Sequence, residues 1–258
     1  MKMHAGMASR PRAANFGRGL LDILLPPRCL GCSSVLAGEV ALCAPCWSQV
    51  RFIEAPCCAS CGRPFDFAFS DNGQCVSCFA RPPLFQTARA VLVHEGKGRD
   101  LVHAFKYSDR LDAAQTFGLW MTRAGAAQCQ DADFVIPVPL HWTRFLRRRF
   151  NQAAELARVI GHLSGRPVKV HLLKRKRATP SQVGLSARAR RRNVAGAFTL
   201  SRGAQDIIRG RRVVLVDDVM TTGATLEACT RLLVSAGVAR VDVLTLSRVM
   251  APSDVSVT

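Results

Sequence analysis

Val213-Val214-Leu215-Val216-Asp217-Asp218-Val219-Met220-Thr221-Thr222-Gly223-Ala224-Thr225-Leu226 sets four apolar residues, two adjacent carboxylates and a short hydroxyl-rich loop in immediate succession. An apolar run this short, bounded by charge, reads as a strand buried in a parallel sheet. Beyond Thr225 the spacing of Leu226, Cys229, Leu232 and Leu233 is helical, so the loop joins a strand to a helix. At that junction Thr221, Thr222, Gly223, Ala224 and Thr225 can offer backbone N–H groups and hydroxyls to one anion, at the positive end of the helix dipole. Gly223 lets the backbone approach closely. Asp217 and Asp218 stand one step upstream, where a sugar would lie if its phosphate occupied the loop, and carboxylates accept hydrogen bonds from paired ribose hydroxyls. The order of residues describes a phosphosugar site. The competing reading is a Rossmann-like strand and turn whose acidic pair binds a metal or caps a helix. Neither G-x-x-x-x-G-K-[ST] nor G-x-G-x-x-G occurs, which argues against a triphosphate or dinucleotide site.

Outward from this stretch, strand and helix patterns alternate. Ala88 to Val93, Phe134 to Pro139, Val168 to Leu173, Phe198 to Leu200 and Val241 to Leu246 read as strands. Leu101, Val102 and Phe105, then Leu111 and Phe117, then Ala153, Leu156, Val159, Ile160 and Leu163 have helical spacing. Such alternation predicts an α/β fold, a mostly parallel sheet covered by helices. The segment from Lys174 to Asn193 is too polar and charged for a core element. It reads as a mobile loop able to close over a phosphorylated ligand, with disorder or a surface helix as alternatives.

Four C-x-x-C pairs fall within fifty residues: Cys29/Cys32, Cys43/Cys46, Cys58/Cys61 and Cys75/Cys78. Two such knuckles complete a tetrahedral four-sulfur site, so eight ligands make two structural zinc ions. Pairing in sequence order gives two consecutive ribbons, and the spacing also permits an interleaved arrangement. An iron–sulfur cluster or redox-active dithiols are the alternative chemistries. A segment with so little apolar sequence is expected to fold only with its metal. Cys57 adjoins a ligand but lacks the two-residue spacing to Cys61, and Cys129 and Cys229 read as core residues or free thiols.

A chain of 258 residues with 48% apolar content has room for one sizeable core plus a small module. The net charge of +18 is concentrated: Leu140 to Arg212 carries 19 Lys or Arg against Glu155 and Asp206 alone. That block suits a polyanionic partner, either a diphosphorylated sugar or single-stranded nucleic acid, and the alternative is a solvated basic face. No run approaches the roughly 20 apolar residues that span a bilayer. The apolar run Leu20 to Leu25 is too short for a signal peptide and is broken by Asp22, so a cytoplasmic location is expected. None of the six histidines has a metal-ligand or dyad spacing, and only His141, near the proline-bounded strand end, merits inspection.

The Asp217 to Thr225 stretch resembles the phosphoribosyl pyrophosphate (PRPP) motif of type I phosphoribosyltransferases. The whole chain resembles the ComF family of competence-associated proteins, which join a double zinc ribbon to a phosphoribosyltransferase-type domain. The resemblance rests on the cysteine array, Phe105-Lys106-Tyr107, Ile136-Pro137-Val138-Pro139-Leu140 and the arginine run closing with Phe150-Asn151-Gln152-Ala153. It rests also on Thr179-Pro180-Ser181-Gln182 and Arg192-Asn193-Val194-Ala195-Gly196-Ala197-Phe198. Arg149 departs from it, since the family more often has glycine there.

The resemblance fits an N-terminal segment over 1–26, read as a short helix, a double zinc ribbon over 27–85, whose exit Arg81-Pro82-Pro83 marks, and a phosphoribosyltransferase-like domain over 86–258. It implies that Asp217 and Asp218 hold ribose hydroxyls, that Thr221, Thr222, Gly223, Ala224 and Thr225 hold the 5-phosphate, and that Pro137, Val138 and Pro139 form the loop approached by pyrophosphate. Arg144 and Arg148 are implied diphosphate contacts. Lys106, Gln182, Arg188 and Asn193 are implied closing or orienting groups, with Lys106 and Arg188 joining the acid pair in any catalysis. Magnesium is expected with PRPP or a related phosphosugar. Single-stranded DNA and DNA-uptake or recombination proteins are the further partners implied. An inactive nucleic-acid-binding or adaptor protein is the alternative.

Overall fold

The computed structural model describes residues 26–36, 40–65, 73–107, 112–143, 150–179 and 186–250. The expected N-terminal helix therefore lies almost wholly outside the described residues. The chain forms two compact units, one ending at Trp47 and one beginning at Ser48. The first holds the Cys29 to Cys46 knuckles and the short helix α1 (Ala44–Trp47).

The second unit is built on a parallel sheet of β1 (Thr87–Val93), β2 (Phe134–Pro137), β5 (Arg212–Met220) and β6 (Arg240–Arg248), in the spatial order β1-β6-β5-β2. The register pairs Thr87 with Asp242, Val213 with Val241, and Phe134 with Val213. A parallel bridge from Val135 to Val168 extends the sheet beyond β2. Val168 to Leu173 is therefore not one strand, because the chain turns after Lys169. The neighbouring pair β3 (Leu173–Arg175) and β4 (Phe198–Leu200) is antiparallel.

Residues 213–216 are buried on both faces, as their uninterrupted apolar character requires. On β6 the polar Asp242 is also buried, at 3% exposure, and is satisfied locally. The Thr87 hydroxyl donates to its Oδ1 at 2.7 Å and Arg240 Nε donates to its Oδ2 at 2.7 Å. Helices α3 (Gly96–Tyr107), α4 (Asp112–Ala124), α5 (Ala126–Asp131) and α6 (Gln152–Ser164) present apolar faces to the interior. In α4 Gly118 allows Val159 of α6 to approach so closely that a Cβ would stand 2.4 Å from its Cγ1.

The basic stretch read as a loop contains a helix, α7 (Ala187–Val194). Ser186 caps it, accepting from Ala189 N at 3.3 Å, and the alternating Ala and Arg residues are good helix formers. Residues 180–185 lie outside the described residues. The short α8 (Ala204–Ile208) then leads to β5, and α9 (Ala224–Ser235) follows it.

The second ribbon belongs to this same unit. Cys58, Cys61, Cys75 and Cys78, the last on the short helix α2 (Val76–Ala80), share one apolar cluster with Phe85, Ile136, Met220, Ala224 and Leu226. Ala88 N donates to Ser60 O at 2.7 Å. The segment Arg51 to Ile53 runs antiparallel to β1 and covers that sheet edge, with Ile53 N to Val91 O at 2.8 Å and Val93 N to Arg51 O at 2.9 Å.

Candidate functional site

The acid pair lies at the carboxyl end of β5, the end where α/β sheets present ligand sites. Thr221, Thr222 and Gly223 turn the chain into α9, and Gly223 is the N-cap with φ +75°, a left-handed conformation that favours glycine. Its carbonyl accepts from Glu227 N at 2.8 Å, closing the first helical turn. β2 ends beside this point: Pro137 pairs with Val216, and Val138 N donates to Val216 O at 2.8 Å. Asn151 holds the outgoing segment by donating from Nδ2 to Val138 O at 3.2 Å. Pro137, Val138 and Pro139 are thereby brought to the same edge as Asp217 and Asp218.

Lys106, from the last turn of α3, reaches this edge and pairs with Asp218, Nζ to Oδ2 at 3.0 Å, both side chains being less than one-fifth exposed. Its backbone is tied to α6 by Gln152 Nε2, which donates to Lys106 O at 3.4 Å. Asp217 accepts from the Asp218 N–H at 2.9 Å. Burial, and then the neighbouring Asp218 carboxylate, push Asp217 up to about 7, against the opposing effects of that hydrogen bond, Lys106 and Arg175. The proton affinity of Asp217 is therefore poised where a cationic or hydroxyl-bearing ligand can change it.

Of the other expected residues, Arg188 is exposed on the first turn of α7, and Thr225 is half-buried in the first turn of α9. Asn193 is half-buried, and its carbonyl accepts from Arg177 at 2.8 Å. Arg144, Arg148 and Gln182 lie outside the described residues. His141 is buried and hydrogen-bonds Thr143 Oγ1 at 2.9 Å, a local turn contact.

The eight cysteines form two groups in sequence order, Cys29/Cys32/Cys43/Cys46 and Cys58/Cys61/Cys75/Cys78, with all sulfurs of a group within 4.8 Å of one another. Tetrahedral zinc with bonds of about 2.3 Å sets sulfurs about 3.8 Å apart. The distances Cys29 to Cys43, Cys32 to Cys43 and Cys61 to Cys75 are 3.6, 3.7 and 3.7 Å. Both quartets fit zinc, and the interleaved arrangement is excluded by position. Each provides four sulfurs to one ion, which is the composition of a structural site.

Two family models match the sequence: a double zinc ribbon domain over residues 20–79 and a phosphoribosyl transferase domain over residues 150–256. The DNA utilization protein YhgH of Escherichia coli O157:H7 is 33% identical over 236 residues, covering 88% of this chain and all of that protein. Competence protein F of Haemophilus influenzae is 30% identical over 227 residues, covering 86% of this chain and 96% of that one. The chain belongs to the ComF family. Among solved structures, the glutamine PRPP amidotransferase from B. subtilis is 22% identical with a TM-score of 0.38, covering 55% of this chain and 30% of that chain.

In this ComF-family chain three further groups stand near the site. Arg175 is buried on β3, donates to Thr179 Oγ1, lies 5.2 Å from the Phe198 ring centroid and bears electrostatically on Asp217. Period-two alternation from the buried Leu173 would have marked Arg175 as inward and Lys174 as outward. His94, just past β1, bonds Ser247 Oγ through Nδ1 at 2.9 Å and is held below the usual histidine range by burial and then by Lys106. Arg248 ends β6 at 6% exposure and donates to Cys61 O at 2.8 Å, joining the sheet to the second ribbon. A lone histidine and a strand-end arginine carry no sequence signal that would have singled them out. No helix among the described residues is long and apolar enough to cross a membrane.

Proposed function

We propose that this protein binds PRPP, or a closely related phosphosugar, together with magnesium at the carboxyl end of β5, and that it serves DNA uptake or utilization in the cytoplasm. The observation that carries this reading is the convergence of Asp217, Asp218, the Thr221 to Thr225 loop and the Pro137 to Pro139 segment on one sheet edge. The acid pair would accept the ribose hydroxyls, the loop the 5-phosphate, and the β2 exit would face the pyrophosphate with Lys106 alongside. Magnesium would enter with the diphosphate and spread its charge. In a transfer reaction the bond from the anomeric carbon to pyrophosphate breaks through an oxocarbenium-like state. Fixed cations such as Lys106, with Arg188 approaching from α7, would then stabilise the departing charge. The DNA role is supported by the relatives' own designations, DNA utilization protein and competence protein.

Isothermal titration of zinc-loaded protein with PRPP and magnesium tests the reading, run beside Asp217→Asn with Asp218→Asn. Micromolar binding in the wild type that disappears in a folded, zinc-replete double variant is the expected result. Unchanged affinity in that variant would sink the assignment.

A second reading, single-strand binding by the basic face, is favoured by the charge concentrated between residues 140 and 212. It requires affinity to fall steeply with salt, by about 0.7 logarithmic units per neutralised phosphate for each tenfold rise. A flat salt response would remove it.

A further inference from the structure

Thr221, Thr222 and Gly223 line, together with residues of the second zinc ribbon, a cavity of about 330 Å³. Arg63 and Arg81 enter from the ribbon, Arg191 from α7 and Arg248 from the end of β6. Among the described residues the lining thus holds four arginines, the sulfurs of Cys61 and Cys78, and one carboxylate, Glu227, which stands 3.8 Å from Arg81.

The cavity is larger than one phosphate needs, and its lining is rich in arginine. A water molecule occupies about 30 Å³ of liquid, so the cavity has room for several groups beyond one phosphate, and it falls within the usual range for small-ligand pockets. Arg248 is buried without a carboxylate partner among the described residues, and its Nε has no hydrogen-bond partner. The sulfur quartet beside it supplies part of its counter-charge. Arg191 is exposed, lines the same cavity, and has no ion pair among the described residues. A cavity this basic, contiguous with an anion loop, selects an anion joined to the one in the loop.

We propose that this cavity is a second phosphate subsite, which a sugar phosphate bearing a further phosphate group on its 5′ side would fill and which PRPP, with its terminal 5-phosphate, would leave empty. The inference rests on the sugar-phosphate reading of the loop and deepens it. The shared chemistry is a 5′-substituted phosphate, and its two sources are a nucleoside 5′-diphosphate and the phosphodiester chain of an oligonucleotide.

The test is titration of zinc-loaded, full-length protein with uridine 5′-monophosphate, uridine 5′-diphosphate, a uridine trinucleotide and PRPP with magnesium. Arg81→Ala with Arg191→Ala removes two exposed cavity charges outside the sugar site, and its thermal midpoint and zinc content check its fold. A ligand with the added phosphate is expected to bind about tenfold or more tightly than the monophosphate, as one charge-assisted hydrogen bond allows. That advantage is expected to vanish in the double variant while PRPP and monophosphate affinities hold. Whether the diphosphate or the trinucleotide carries the advantage identifies the source. Equal affinities across the wild-type series, an advantage that survives the double variant, or no binding of any ligand would overturn the subsite. Failure of PRPP alone, with the arginine-dependent advantage intact, would instead overturn the PRPP assignment and leave the subsite standing.

Discussion

Serine in place of Cys58 should cost the chain far more than serine in place of Cys43, although each removes one ligand from one four-sulfur site. A structural zinc site is worth about 10–16 kcal/mol to the segment it folds, comparable with the roughly 5–15 kcal/mol that stabilises a whole domain. Cys58 has no exposure, and its quartet shares an apolar cluster with Met220, Ala224 and Leu226, the residues that frame the phosphate loop. Losing about a third of the site's free energy, or roughly 4 kcal/mol, should lower the melting temperature of a unit this size by about 8–16 °C, at 2–4 °C per kcal/mol. The Arg248 hydrogen bond to Cys61 O should be lost with it, loosening the end of β6. Cys43→Ser falls in the separate unit that ends at Trp47 and should leave the main calorimetric transition within about 2 °C. Differential scanning calorimetry and zinc quantification on both variants, with PRPP titrations alongside, read the difference. Equal shifts in the two variants, or a Cys58→Ser protein that holds one zinc and melts with the wild type, would refute the claim that the second ribbon is part of the sheet's core.

Gly223→Ala should cost about 1–2 kcal/mol, because alanine must hold φ near +75°, and should weaken phosphosugar binding more than it lowers stability, as parallel denaturation and titration would show. Gly118→Ala should destabilise by about 1–3 kcal/mol through the clash with Val159 and leave ligand affinity unchanged, measured in the same pair of assays. Lys106→Met should lose about 1.5–3 kcal/mol of unfolding free energy in urea by leaving Asp218 without its cation. Asp217, raised to about 7 in the folded chain, contributes stability that is present below its unfolded value near 3.8 and is lost as pH rises through 7. Ligand binding that needs the ionised carboxylate should accordingly tighten between pH 6 and 8, which calorimetry in buffers of different ionisation enthalpy would register as proton release.

The sheet was legible because its strands are apolar runs bounded by turns, and the ribbons because C-x-x-C spacing leaves few alternatives to a metal. Position within the sheet was hidden: nothing in Val241 to Leu246 announces that β6 lies between β1 and β5. The helix α7 was obscured by its charge, since arginines that suit a helix surface also suit a loop. The acid pair and its loop could be read locally, whereas Arg175 and His94 reach the site only through tertiary packing. A local pattern reports what a segment prefers, and the approach of distant segments depends on the whole topology.

The placement of β6 bears on how the protein is made. β1 has β6 as its partner within the sheet, and their pairing joins Thr87 to Asp242, so nearly the whole second unit must leave the ribosome before the sheet can close. Until then β1 and β5 present unfilled edges, with only the Arg51 to Ile53 segment shielding one side. Contacts spanning so much sequence form slowly, and the Cys58 to Cys78 quartet, complete in the chain before β1 begins, is the part of the second unit that can close first, on capturing its zinc.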